Sequence, residues 1–163
     1  MRESIGATWI LQLVIIFMLI FVGFLALTIN YTRAFRMKNE MLSFIEKYEG
    51  VNTKNDKNLG QSGSIAQINN YLMYNNYQTM GVCQQGYYGV NNLNSTSISP
   101  ADGKSKYYYC IKKNNSKSAT FPDRANYEIE VFFHFNLPMI GDLFTFRVNG
   151  RTVDINFPTD DMK

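Results

Sequence analysis

No charged residue stands between Glu3 and Arg33, and this interval constrains the chain more than any other feature. Within it, Ala7-Thr-Trp-Ile-Leu-Gln-Leu-Val-Ile-Ile-Phe-Met-Leu-Ile-Phe-Val-Gly-Phe-Leu-Ala-Leu-Thr-Ile29 is apolar on every face of a helix. At about 1.5 Å of rise per residue, about 20 residues cover a hydrocarbon core of about 30 Å. Residues 7–29 are therefore expected to cross a bilayer as one helix, behind a stub at 1–6. Trp9 and Tyr31 sit near its ends, where amphipathic rings prefer the interface, and are the expected anchors. A cleavable signal peptide fits less well. Its apolar region is shorter, at about 7–15 residues, and an Ala-x-Ala-like site follows it.

Orientation is contested within the sequence itself. Arg33, Arg36 and Lys38 follow the span, whereas Arg2 is the only basic side chain before it. Basic flanks stay cytoplasmic, which would place the C-terminal domain inside.

Beyond Ile29 there is no Pro or Gly until Gly50. Met37, Met41, Phe44, Ile45 and Tyr48 recur at helical spacing, so residues 30–50 are expected to continue the span as an amphipathic helix. One helix from about Ile5 to Glu49 would be on the order of 65–70 Å long. Gly50, tolerant of a left-handed backbone, is the expected stop.

Residues 51–163 are then left for one extracytoplasmic α+β domain of ordinary size. Val51 to Ser64 is polar and reads as a surface loop. Ser64-Ile-Ala-Gln67 has the form of a capping box opening a short helix with Ile65, Ile68 and Leu72 inward. The period then changes to two. Strands are expected at Val82–Tyr88, at Tyr107–Lys112 and across Tyr127, Ile129, Val131, Phe133 and Phe135. Two more, Leu143–Val148 and Arg151–Phe157, would be joined by a type I′ turn at Asn149-Gly150. The fold class is α+β: a long N-terminal helix, a short second helix, and an antiparallel sheet of about five strands.

Cys83 and Cys110 are the only cysteines and fall in two of these strands. With one histidine in the chain, they cannot complete a tetrahedral zinc site. A disulfide between them would stabilise by roughly 3–4 kcal/mol on the chain-entropy estimate and would need an oxidising compartment. That argues for an outside domain, against the basic flank. Two unrelated buried thiols are the alternative.

Little else carries chemistry. His134 lies on the Glu128/Glu130 face of its strand, which reads as a solvated or edge face. Paired carboxylates can hydrolyse glycosidic bonds, but a solvated pair on a strand is far commoner. Asp123, Asp142, Asp160 and Asp161 lack calcium-loop spacing. No phosphate loop or nucleophile elbow occurs. The net charge of +3 leaves no electrostatic footprint for nucleic acid. The expectation is a protein that is not an enzyme and takes no cofactor or metal.

The layout resembles that of the pilin-like proteins of bacteria. More narrowly, Gly6-Ala-Thr-Trp-Ile-Leu-Gln12 and Tyr31-Thr-Arg-Ala-Phe-Arg-Met-Lys-Asn39 are similar to the N-terminal pattern of the TadE/TadG-like pseudopilins of tight-adherence pili. Val131-Phe-Phe-His-Phe-Asn-Leu-Pro-Met-Ile-Gly-Asp-Leu-Phe144 is similar to the strand, loop and strand that often closes those proteins. Where that family typically carries a Glu near the head of the helix, this chain has Gln12. The resemblance implies a surface-pilus or secretion component that acts by assembly. Its partners would be the lipid bilayer and other pilin-like subunits or pilus assembly proteins, met as a homo- or hetero-oligomer through the span. An anchored binding or sensing domain, possible in the cytoplasm, is the rival from another class. A membrane-bound hydrolase is the third.

Overall fold

The structure, a computed structural model, describes residues 2–53, 55–56, 61–115, 124–137, 141–156 and 158–160. Its frame is a 46-residue helix, α1 (Arg2–Lys47), followed by the short strand β1 (Gly50–Val51). The small pair β2 (Asn55–Asp56) and β3 (Gln61–Ser62) leads into α2 (Ser64–Tyr74). Then come β4 (Gly81–Val82), β5 (Tyr88–Val90), β6 (Ser99–Pro100), β7 (Lys106–Tyr107) and β8 (Tyr109–Asn115). The chain closes with β9 (Arg124–Leu137), β10 (Gly141–Arg151), β11 (Ile155–Asn156) and β12 (Thr159–Asp160). The α+β class is that expected.

α1 has two environments because its sequence has two patterns. Along the apolar run the large side chains stand exposed, Trp9 at 73% and Ile20 at 67%. From Ala34 onward one stripe is buried: Ala34, Met37, Met41 and Ile45, with Leu42 and Phe44 partly covered. The helix gives way after Lys47, where Glu49 takes the left-handed conformation (φ 53°) and Gly50 follows at φ 133°. The side chain at the left-handed position is thus Glu49, one residue earlier than the glycine stop expected.

The main sheet runs β10-β9-β8-β5-β6, antiparallel throughout, with β11 also on β9. β9 is its centre. The face carrying Tyr127, Ile129, Val131 and Phe133 packs on the buried stripe of α1, joined by Tyr109 and Ile111 from β8 and Val148 from β10. α2 covers the same face with Ile65, Ile68 and Leu72, and Phe44 meets Tyr71 edge-on across the two helices.

The end of α2 is a Schellman turn. Asn76 sits left-handed at φ 49°, its N–H donates to the Met73 carbonyl, and the Tyr77 N–H donates to the Leu72 carbonyl. The start of α2 differs from the capping box expected. Gly63 is the N-cap and no side chain caps it. The Ser64 hydroxyl instead accepts from the Asn52 N–H and donates to the Gly50 carbonyl, both at 2.9 Å. A buried hydroxyl between two backbone groups is better used tying β1 to α2 than closing a turn of helix.

The hairpin turn expected at Asn149-Gly150 is not there. Both residues lie inside β10, opposite Glu130 and Ile129. The chain runs on past Thr152, whose N–H donates to the Tyr127 carbonyl and whose hydroxyl accepts from the Tyr127 N–H. β11 then rejoins the same edge of β9 at Ala125 and Arg124. Gly150 serves close approach instead: a Cβ there would come within 2.5 Å of Lys38 Cδ and 2.8 Å of Leu42 Cδ1. The glycine leaves room for the Lys38 and Leu42 side chains of α1 against the sheet. The strand expected over Val82–Tyr88 is likewise split into β4 and β5, by a turn with Gly86 at φ 84°. The tip between β9 and β10, and Phe157 at the end of the last expected strand, lie outside the described residues.

Because the Lys38 and Leu42 side chains fill the space over Gly150, Gly150→Val is expected to lower stability by about 1–3 kcal/mol through overpacking. Urea denaturation of the detergent-solubilised protein measures this, and pairing with Leu42→Ala should recover part of the loss.

Candidate functional site

Two features stand apart from simple core packing: the uncovered half of α1, and the second face of the sheet. The first begins at Thr8 and ends where the domain takes hold. Trp9 and Tyr31 are 22 positions apart in the chain, about 33 Å along a helix. Tyr31 is exposed and also touches the domain. It stacks on Phe35 at 6.3 Å and meets Phe133 edge-on at 6.0 Å. Asn30 Nδ2 donates to the His134 carbonyl at 3.4 Å. The domain therefore begins directly at the end of the apolar run, with no stalk between. This helix is long and apolar enough to cross a membrane. Fully covering one Leu, Ile or Phe side chain is worth about 1.5–3 kcal/mol, so a bare run of them in water is heavily penalised.

The basic residues after the run are partly committed to the fold. Arg33 Nη2 donates to the Asn75 carbonyl at 2.6 Å and the Asn76 carbonyl at 3.3 Å, and its guanidinium lies 5.6 Å from the Tyr77 ring centroid. A cation at the carboxyl end of α2 is where the helix dipole favours one. Lys38 is buried, with its ammonium 4.1 Å from the Phe35 ring centroid, and burial lowers its pKa.

The second face of the sheet is a compact cluster of Cys83, Tyr87, Tyr107, Cys110 and Phe132. Cys83 and Cys110 are joined as a disulfide, 27 positions apart, with Cα atoms separated by 5.7 Å. The segment from β4 to Tyr87, paired to β7, lies over this face as a flap. Glycines let it close. A Cβ on Gly81 would strike the Phe132 ring at 2.2 Å, and one on Gly89 the Tyr107 ring at 2.2 Å. Above β8, which pairs with β9 only as far as Tyr109 and Val131, the Tyr77 hydroxyl donates to the Phe132 carbonyl. Burial pushes the Tyr77 phenol up to about 12 despite the nearby Arg33. His134 Nε2 stands 3.1 Å from the Met80 carbonyl, so that nitrogen carries the proton.

This arrangement corrects the expectation of a solvated face. Glu130 is fully buried, directly across from Cys110, and neither carboxylate oxygen has a hydrogen-bond partner. Burial pushes its carboxyl up; Arg147 pulls it back, Glu128 pushes it further, and Tyr87 and Lys112 pull it back. The Tyr87 hydroxyl is near enough to favour the ionised carboxyl without being seated on either oxygen. In turn, burial and then the two carboxylates push the Tyr87 phenol well up. Phe132, alternating with Glu128, Glu130 and His134, was the sequence signal that this face is covered. Among the described residues no cluster of His, Cys, Asp and Glu could hold a metal ion.

Comparison with protein-family models, with curated proteins and with solved structures finds no match to this chain.

Two outcomes follow from the flap. Since the folded-state pKa of Glu130 is raised, the neutral carboxyl is the compatible form: its contribution is full below the ordinary glutamate range and is lost as pH rises through the raised value. Glu130→Gln is expected to raise the melting temperature at pH 8 relative to the parent, with the gap closing toward pH 4. Calorimetry across that range would show it, and a gap independent of pH would refute it. Removing the disulfide as the Cys83→Ser/Cys110→Ser pair is expected to cost about 3–4 kcal/mol for a loop of this length. The urea midpoint of the parent should fall to that of the variant in the presence of a reductant and stay above it without one.

Proposed function

We propose that this chain is a single-pass, membrane-anchored structural protein of the pilin-like kind, a component of a bacterial surface pilus or secretion apparatus. It works by assembly, with its C-terminal domain outside the membrane. The observation that carries the reading is the division of α1. One half is apolar and uncovered; the other half is the core of an α+β domain that starts where the apolar run ends. Such a helix holds the subunit in the bilayer and offers an apolar surface to neighbouring spans, where association depends on packing and close approach. The sheet domain, rigidly joined to it, then presents a polar surface at fixed height. The Cys83–Cys110 disulfide supports the outside orientation, since such bonds persist in oxidising compartments. Arg33 and Lys38 have structural duties, which gives part of the basic flank a reason other than topology.

The second reading is an anchored binding or sensing domain that joins no assembly and faces the cytoplasm. It draws on Arg33, Arg36 and Lys38 as a positive-inside signal.

Thiol labelling of intact cells with a bulky maleimide separates the two. Labelling of Cys83 and Cys110 only after reduction, and without lysis, is expected. Labelling that needs lysis and no reductant would place the domain inside and remove the pilus reading. For assembly itself, a Val22→Cys variant is expected to give crosslinked species between spans under mild oxidation in membranes. A monomer under all conditions would favour the second reading.

A further inference from the structure

A cleft of about 510 Å³ lies between α1 and α2, at the height where the apolar run ends. One wall is apolar, made by Ile29 from the last turn of the run and by Met37. Arg33 and Arg36 lie on the same face of α1, and Tyr71 and Asn75 stand across from them at the end of α2. The geometry points to this cleft as a seat for the phosphodiester headgroup of an anionic phospholipid. The inference rests on the membrane-anchored reading and adds a ligand to it.

The donors present decide the ligand's sign. Thr28 and Thr32 also line the cleft, but each hydroxyl donates back into α1, to the carbonyls of Phe24 and Thr28 at 2.9 and 2.8 Å. Asn75 Nδ2 donates to the Tyr71 carbonyl at 2.8 Å. Arg33 spends one terminal nitrogen on the end of α2 and keeps its remaining N–H groups. Arg36 is exposed and close enough to Tyr71 to act on its hydroxyl, whose pKa burial raises, with Glu40 adding to the rise and Arg36 opposing it. No acidic side chain is in the lining. Two guanidinium groups set three positions apart, about one helical turn, with a phenol opposite, form a donor set for phosphate oxygens.

The position decides the source. A dissolved anion gains nothing from Ile29 and Met37. A lipid does, because its glycerol and first methylenes would lie along Ile29 while its phosphate meets the arginines at the interface. Guanidinium groups near an anionic bilayer surface are favoured there in any case, and the cleft adds shape.

The test uses the full chain in detergent, offered equal amounts of phosphatidylglycerol and phosphatidylcholine, with retained lipid counted by native mass spectrometry. Selective retention of phosphatidylglycerol is expected. Arg36→Gln should reduce it about fivefold, the worth of one cation at such a surface, and Arg36→Lys should keep most of it. Equal retention of the two lipids, or retention untouched by Arg36→Gln, would overturn the assignment. Displacement by excess inorganic phosphate would also overturn it, in favour of a soluble anion. Flotation with phosphatidylcholine vesicles separates this from the anchor reading. A chain that fails to float sinks both, whereas one that floats without lipid selectivity sinks only the headgroup site.

Discussion

The docking of the second half of α1 on β9 is the contact on which the rest depends. Ala34, Met37, Met41 and Ile45 meet Tyr127, Ile129 and Val131, all of them buried. Each large apolar side chain in that seam contributes about 1.5–3 kcal/mol by leaving water. Removing the helix would uncover the part of the sheet face that it packs on, and α2, which shares that face, would lose part of its seat. The seam also fixes the height of the domain over the apolar run, because the same rigid helix carries both.

The opposite face of the sheet solves a different problem. A single layer of strands with one helix pair on it would leave Phe132 and Cys110 in water. The flap closes over them with rings seated on glycines at Gly81 and Gly89, and the disulfide pins it to β8. The closure traps Glu130 without hydrogen-bond partners, a buried polar group that costs stability when ionised. A domain of this size has one core to draw on, so the covalent tie offsets what the trapped carboxyl costs.

The proposed function and the lipid seat both arise at the junction between these parts. Arg33 holds the end of α2, and Arg36 faces the cleft a turn later. Assembly through spans and recognition of a headgroup are compatible uses of one junction, since the former uses the exposed flank of α1 and the latter the flank toward α2.

Periodicity made the local elements legible: the uncharged run, the Met37–Ile45 stripe, the inward face of α2 and the alternation from Tyr127 to Phe133 all fold as their patterns imply. The cysteine pair was legible as one of two alternatives. Local patterns misled where a residue's use was set by a distant neighbour. Asn149-Gly150 has the form of a hairpin turn, but Gly150 is there to admit Lys38 and Leu42. Ser64 has the form of a helix cap, but its hydroxyl joins Gly50 and Asn52. Glu130 alternates as a solvated residue, yet the flap over Phe132 buries it. By itself the sequence determined the two helices and the central strand β9, because helix and strand periods are properties of neighbours along the chain. The tertiary structure alone decided which glycine is a turn, which hydroxyl is a tie and which carboxyl is buried, because each depends on groups that only the packed fold brings together.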